Sequence, residues 1–521
     1  MFDKILNNRF FILYIIPFIL GSLTVLSFQP FNFFFLNFIT LPLFFYLIIF
    51  IKKKSKSIYR KKPFKKNLFI FGTAFGFGYF LSGIHWITNS LTFDENFKIL
   101  IPFGIIFIPL FLSLFFSLTI LILGPLLNLN FSSILILSGG LSVSDFIRAK
   151  ILSGFPWNLW AYSFSWATEI LQILNKIGLF AFNLISITIF MLPAIIFFNL
   201  KISKKFILLL SIPLFFLFFF IYGNYSINQN KIFVKSIKEK INIKVIAPNF
   251  ELKYNLSIVN IQKRLDKLIR YSEPNKNIKT LFVWPEGVFS GYNYEELSIL
   301  KEKFSDNFSE NHFVLLGINR LSKNENGLYN SLIIVNKDFE IVQEYNKQKL
   351  VPFGEFLPLE KILNKFGLKK ITEGYGSFLK GESQNNLILD NLNILPLICY
   401  EVIFTNLIQK SNNDTNLIIN ISEDGWFGNS IGPHQHFAKG VFRAIEHNSY
   451  LIRSANKGIT AIIDNKGEII KELNSRESGN IELEIPLIKS KNKNKNDLIF
   501  FVLLITYIFI FNFYKKNNGT K

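Results

Sequence analysis

The sequence predicts an α+β protein in which a layered domain of roughly 250 residues is inserted between apolar helices that cross a membrane about eight times. Three observations predict it. Uncharged apolar runs recur along the first 222 residues and once more near the C-terminus. The polar stretch between them alternates short β-rich runs with helical patterns. Basic residues gather on one side of the alternate crossings.

The composition agrees. The 521 residues are half hydrophobic, include 62 Phe, have a mean hydropathy of +0.32 and carry a formal charge of +21. Apolar and basic together describe an integral membrane protein with basic loops. A nucleic-acid binder would cluster Lys and Arg on a soluble module. Here the densest cluster lies between apolar runs, so no nucleic-acid partner is expected. The single cysteine excludes an intrachain disulfide.

A span takes about 20 residues. Phe10–Phe28, Phe33–Ile51 and Asn67–Ser90 each suit one crossing; the third carries His85, tolerable there only if neutral or paired. Ile99–Ser144 suits two, split at "GPLLNLNFSS" by turn residues. Ile177–Leu200 and Phe206–Tyr222 make seven, and Leu498–Tyr514 an eighth. The first run lacks a small-residue cleavage site and is read as a span. The stretch 52–66, "KKKSKSIYRKKPFKK", has nine basic residues in fifteen and is expected in the cytoplasm. Alternate crossings then put the N-terminus, "NLKISKK" and the basic tail inside, and Gly223–Asp497 outside. The expected organisation is a membrane domain over 1–224, an outer domain over 225–497, and a last helix with its tail over 498–521. Trp157, Trp160 and Trp166 in "SGFPWNLWAYSFSW" suit either an aromatic belt at the membrane interface or a lipid-facing wall of a site.

Within the outer segment, "INIKVIAPNF", "TLFVWPEGVF", "NHFVLLGINR", "NSLIIVN", "NLNILPLICY", "NLIINIS" and "TAIIDNKG" read as strands, and Asn255–Tyr271 and His436–His447 as helices. Three polar residues end apolar strands: Glu286, Lys347 (followed by a Pro-Phe-Gly turn bearing Glu355), and Cys399. Their separations of 61 and 52 residues suit separate strands converging on one sheet edge. Each has an ordinary reading alone: a helix cap, a solvated charge, a small core thiol. Together they make chemistry. Only a thiolate is nucleophilic, and a free thiol with a pKa of about 8.5 is mostly protonated at neutral pH. A nearby cation favours the thiolate, a carboxylate can accept its proton, and the same cation can stabilise an oxyanion. His434 and His436 in "GPHQH" lack the partners of a zinc site and read as a helix start, so no metal is expected.

"VWPEGVF", "YNKQKLVPFGEFLP" and "ICYEVIF" resemble the nitrilase superfamily, and more closely the apolipoprotein N-acyltransferase family of bacterial membrane enzymes. "GFGYFLSGIHW", "GFPWNLWAYS" and "WFGNSIGPHQHFAKGVFRAIE" are similar to that family too, so the resemblance covers nearly the whole chain. It implies a nitrilase-like α/β/β/α sandwich carried between membrane helices in the bacterial inner membrane, with the catalytic domain on the periplasmic side. It implies Glu286 as general base, Lys347 as oxyanion stabiliser and Cys399 as nucleophile, with Glu355, Tyr400, Glu401 and Trp426 in support, and no cofactor. The implied reaction is ping-pong. Cys399 takes an acyl chain from a phospholipid as a thioester, then passes it to the amino group of diacylglyceryl-cysteine on an apolipoprotein. A membrane-tethered amidase and a binding protein with a relic site are the alternatives. Two departures stand out. Ser422-Glu423-Asp424 replaces a usual Ser-Asn-Asp, and Lys253-Tyr254 stands near a usual Lys-Trp, where no site residue is assigned.

Overall fold

The computed structural model describes residues 8–55, 61–253, 256–323, 327–358, 360, 377–382, 386–409, 414–490 and 496–518. Tyr254, residues 56–60 of the basic loop and 519–521 of the tail lie outside them. The chain forms two compact units: Met1–Thr88 with Lys98–Asn224 and Lys495–Lys521, and Asn89–Phe97 with Tyr225–Asn494.

The first unit is helical. Among the described residues, seven helices are long and apolar enough to cross a membrane: Phe34–Lys54, Phe64–Phe93, Glu95–Leu126, Phe131–Lys150, Leu174–Phe197, Ile202–Ser236 and Asp497–Lys515. Phe11–Val25 is a shorter apolar helix. It lies tight against the helix through 64–84: a Cβ on Gly21 would stand 2.1 Å from the Phe75 carbonyl oxygen, and one on Gly78 2.2 Å from that of Phe18. Such close approach is how helices gain dispersion contacts where apolar burial drives nothing. Inside this unit Asp145 meets Arg148 at 2.7 Å and accepts from Asn183 Nδ2 at 2.9 Å. Arg148 also donates to the carbonyls of Phe155 and Asn158, fixing the "GFPWNLW" segment. Trp157 and Trp160 are therefore core residues, each 1% exposed, packed on Trp86 and Tyr79. Only Trp166 is exposed, so the aromatic belt reading fails for the other two.

The second unit is a four-layer α/β/β/α sandwich. One six-stranded sheet has the order β12-β1-β2-β3-β4-β5 and the other β11-β10-β9-β8-β7-β6. The strands are β1 (Lys240–Ala247), β2 (Thr280–Val283), β3 (His312–Leu321), β4 (Leu328–Val335), β5 (Ile341–Asn346), β6 (Leu387–Leu389), β7 (Leu392–Ile398), β8 (Leu417–Glu423), β9 (Tyr450–Asn456), β10 (Thr460–Ile463), β11 (Ile469–Leu473) and β12 (Gly479–Pro486). The two sheets repeat one plan. Three parallel strands (β1-β2-β3 and β7-β8-β9) are flanked by an antiparallel pair on one side and a single antiparallel strand on the other.

Period-two alternation sorts the side chains of the central strands between two buried faces. Ile243, Val245, Leu281 and Val283 point between the sheets and meet Ile394, Ile419, Ile421 and Ile452. Ile246, Phe282 and Trp284 point outward onto α1 (Ile258–Ser272). That helix starts where Ser257 Oγ accepts from the Asn260 amide, buries Ile261, Leu265 and Leu268 on one face, and ends at Glu273 in the left-handed region. The helix α2 (Gly432–His447) starts with Pro433 in its first turn, as "GPHQH" predicts, and ends at Asn448 with φ 55°.

Candidate active site

Three strand ends carry the residues singled out above. Glu286 follows β2 by three positions, Lys347 directly follows β5, and Cys399 directly follows β7. Lys347 is 1% exposed, and its Nζ donates to Glu355 Oε1 at 2.8 Å and stands 3.7 Å from Glu286 Oε1. Asn330 on β4 ties the two carboxylates together, its Nδ2 donating to Glu286 Oε1 at 2.8 Å and Glu355 Oε1 at 2.7 Å. Its carbonyl also accepts the Lys347 amide at 2.9 Å. Glu286 Oε2 accepts the backbone N–H of Glu423 at 2.9 Å, and Glu355 Oε2 accepts that of Val351 at 2.8 Å. Every carboxylate oxygen in this cluster thus has a donor, as buried charges require.

Cys399 opens a 3-10 turn, Cys399–Ile403, with φ 49°. A side chain with a Cβ in the left-handed region costs of order 1–3 kcal/mol, and such residues gather at functional sites. Glu401 holds the turn. Its Oε1 accepts from Tyr345 Oη (2.9 Å) and from the amides of Gln348 (2.8 Å) and Lys349 (3.0 Å), while Oε2 accepts from the Ile398 amide (2.9 Å). One carboxylate therefore staples the segment after Lys347 to the residue before Cys399. Lys349, the other lysine of the motif, places its ammonium over the Phe404 ring at 5.0 Å.

The charges settle the protonation states. Burial works against the Lys347 ammonium, but Glu355 and Glu286 outweigh it and hold Lys347 well above its usual range. Burial, with the Glu286 carboxylate added, pushes the Cys399 thiol up, and Lys347 opposes this without reversing it. Lys347 favours the thiolate, as a neighbouring cation is expected to, but it is outweighed. The reason is desolvation: two carboxylates surround the one ammonium, and a fully buried thiolate loses its water.

A second buried network was not legible as a site. Asp424 accepts from Ser422 Oγ at 2.6 Å and from Arg453 Nη2 at 2.7 Å. The His436 Nδ1 is 3.0 Å from Asp424 Oδ1, and its Nε2 is 3.2 Å from the Cys399 carbonyl oxygen. Burial opposes the Asp424 carboxylate, yet Arg453 and His436 hold it well below the usual range. The network reaches the Cys399 backbone through His436. Glu423, where the family usually has Asn, accepts from the Gly425 amide (2.9 Å) and Asn456 Nδ2 (2.7 Å). Burial, helped by the charges of Glu286 and Asp424, pushes its carboxyl up to about 8. Trp426 is half-buried with the Phe93 ring edge-on at 5.0 Å, and Tyr400 is half-buried against Phe404 at 5.1 Å. Lys253 is exposed.

The arrangement offers a buried thiol, a carboxylate able to take its proton, and a fixed ammonium, which is equipment for acyl transfer. Comparison with known proteins agrees. Residues 20–192 match the family described as "Apolipoprotein N-acyltransferase N-terminal domain", and residues 255–491 match "Carbon-nitrogen hydrolase". The apolipoprotein N-acyltransferase of Rhodopseudomonas palustris is 30% identical over 91% of this chain and 89% of its own. That of Rickettsia typhi is 32% identical over 91% of this chain and 92% of its own. Among solved structures, an amidase of Nesterenkonia from the nitrilase superfamily aligns with 50% of this chain and 98% of its own at 15% identity and a TM-score of 0.37, too low to bear on the fold described above. At this identity and coverage with its relatives, the chain belongs to the apolipoprotein N-acyltransferase family.

Proposed function

We propose that the protein transfers a fatty acyl chain from a membrane phospholipid to the N-terminal amino group of a diacylglyceryl-cysteine apolipoprotein, with Cys399 as the acyl carrier. The observation that carries the reading is the buried Glu286–Lys347–Glu355 cluster facing a thiol that its surroundings keep protonated. A resting thiol needs a base at the moment of attack, and Glu286 is the carboxylate whose charge acts most on it.

In the first half-reaction Glu286 takes the Cys399 proton as the sulfur attacks the ester carbonyl of the donor. Lys347 stabilises the oxyanion. The ester C–O bond breaks, the departing oxygen takes the proton from Glu286, and a lysophospholipid leaves a thioester behind. In the second, the acceptor amine attacks the thioester carbonyl and passes a proton to Glu286. The C–S bond breaks and the sulfur recovers its proton. Glu355 supplies a second negative charge that keeps Lys347 an ammonium throughout. Glu401 fixes the spacing between the Lys347 and Cys399 segments. Tyr400 stands on the nucleophile's own turn and Trp426 on the Asp424–Phe427 turn, and both keep part of their surface accessible. Both substrates are bilayer-anchored, which gives the helices of the first unit their purpose. The basic flanks support insertion in the bacterial cytoplasmic membrane with the catalytic unit on the periplasmic side.

The test is a labelled phospholipid offered without acceptor. Wild type accumulates label in a bond that neutral hydroxylamine cleaves, and Cys399→Ser folds but accumulates little, because its hydroxyl is far less acidic. A Ser variant that acylates an apolipoprotein at a comparable rate refutes the assignment.

A further inference from the structure

The catalytic unit contains nine residues, Asn89–Phe97, from between the helices Phe64–Ile84 and Ile101–Leu123. Asn89 Nδ2 donates to the Phe427 carbonyl at 2.7 Å, an oxygen that also accepts from Ser430 Oγ at 2.8 Å. The next residue, Gly428, has φ 61°, and a Cβ there would stand 2.7 Å from Asn89 Nδ2. The strap and the Asp424–Phe427 turn are therefore in backbone-close contact. From that turn the Phe427 ring lies edge-on to His436 at 5.3 Å, and His436 reaches the Cys399 carbonyl. Four residues along the strap, the Phe93 ring meets Trp426 at 5.0 Å and is 38% exposed.

We infer that Phe93 is a specificity-determining residue for the acyl chain, forming with Trp426 an apolar wall beside the nucleophile's turn, and that Asn89 is the positioning residue that holds this wall. The inference rests on the acyl-transfer reading and deepens it. A saturated acyl chain offers no hydrogen bond, so only shape and apolar area can select it. The pair supplies both: two large rings at a fixed edge-to-face angle of 72°, left accessible on a turn anchored to the backbone of the catalytic cysteine. The hydrogen bond from Asn89 ties the strap to the turn that carries Trp426, and Asn89 neither touches substrate nor exchanges protons.

The experiment uses full-length protein and phospholipid donors of one head group whose labelled chains differ by two carbons, with thioester formation measured for each. Phe93→Ala is expected to change the ratio of rates between neighbouring chain lengths by up to about 15-fold, the scale of two buried CH2 groups. Phe93→Leu gives a smaller change, and Asn89→Ala shifts the ratio in the same direction as Phe93→Ala. A merely structural role lowers every rate by a common factor and leaves the ratios alone, and that result overturns the inference. Phe93→Leu keeps apolar bulk at a partly exposed position, so an unchanged ratio in it decides the matter should Phe93→Ala not fold. Wild type that takes no label at any chain length sinks the acyl-transfer reading itself. Wild type that labels with a chain preference which the variants retain sinks only this inference.

Discussion

Replacing Glu286 with Gln separates the chemical role of its carboxylate from its structural one. Both oxygens of Glu286 accept hydrogen bonds, Oε1 from Asn330 and Oε2 from the Glu423 amide. A glutamine has one oxygen, so its NH2 must face one of those donors. Turning the Asn330 amide over does not help, because its Nδ2 also serves Glu355. One hydrogen bond is lost in any arrangement, at a cost of about 1–3 kcal/mol for a buried group. At about 2–4 °C per kcal/mol for a domain of this size, the melting temperature falls by several degrees and the fold survives. The chemistry suffers more. Loss of a general base costs on the order of 10²–10⁴ in rate, or about 3–5 kcal/mol of barrier. The thiol moves the other way. The Glu286 charge is part of what pushes Cys399 up, so its removal lets the thiol ionise at lower pH. Single-turnover labelling should therefore slow sharply while alkylation of Cys399 by iodoacetamide begins at a lower pH than in wild type. Thioester formation at a near-normal rate, or a thiol that needs a higher pH to react, refutes Glu286 as the base.

Lys347→Arg keeps the charge but cannot fit a planar fork where one Nζ reaches two carboxylates, so acyl-enzyme formation should fall by on the order of 10²–10³, measured by the same labelling. Glu401→Ala leaves three buried backbone amides and a tyrosine hydroxyl without their acceptor; it should lower the melting temperature more than Glu286→Gln does and abolish labelling, whereas Glu401→Gln, which can still serve the three donors on one oxygen, should retain part of both. Glu423→Gln tests the raised carboxyl. The folded protein keeps the proton up to about pH 8, and the unfolded chain releases it near 4.5, so this group makes stability fall as pH rises from about 5 to 8. The Gln variant should lose less melting temperature across that window than wild type, and an identical pH dependence by differential scanning fluorimetry counts against the assignment.

The strands that lead to Glu286 and Cys399 were legible because each is an apolar run that ends shortly before one charged or sulfur-bearing residue, whereas the strand before Lys347 is not apolar. Seven of the eight expected spans match long apolar helices through length and absence of charge, while the first, Phe10–Phe28, holds only the shorter helix Phe11–Val25. The edge strands β5 and β11 escaped notice. "IVQEYN" and "IIKEL" leave most of their side chains in solvent, so no apolar pattern marks them. Asn330 lay within a recognised strand, but nothing local says that an asparagine will bridge two carboxylates 25 and 44 residues away. His436 was visible only as part of a helix start, since its partners Asp424 and Cys399 come from two other strand ends. That burial and Glu286 outweigh the pull of Lys347 on the Cys399 thiol was not legible, because desolvation depends on what surrounds a group in space. Burial of Trp157 and Trp160 had the same cause: aromatic rings that suit a membrane interface equally suit a core.

The pairing of β1 with β12 bears on how such a chain could arise. Lys240 stands opposite Pro486, so the polypeptide enters and leaves the sandwich at adjacent rungs of one ladder, about 5 Å apart. A domain whose ends meet in this way can be set into a loop of a host without prying the host apart. The sandwich is in that sense an insertion between the helix Ile202–Ser236 and the helix Asn496–Asn518. Joining 236 to 496 through a short linker should leave an all-helical protein that still inserts in a membrane, and the excised segment carries all of β1 to β12, lacking the strap and the helix end from Tyr225 that the host lends it.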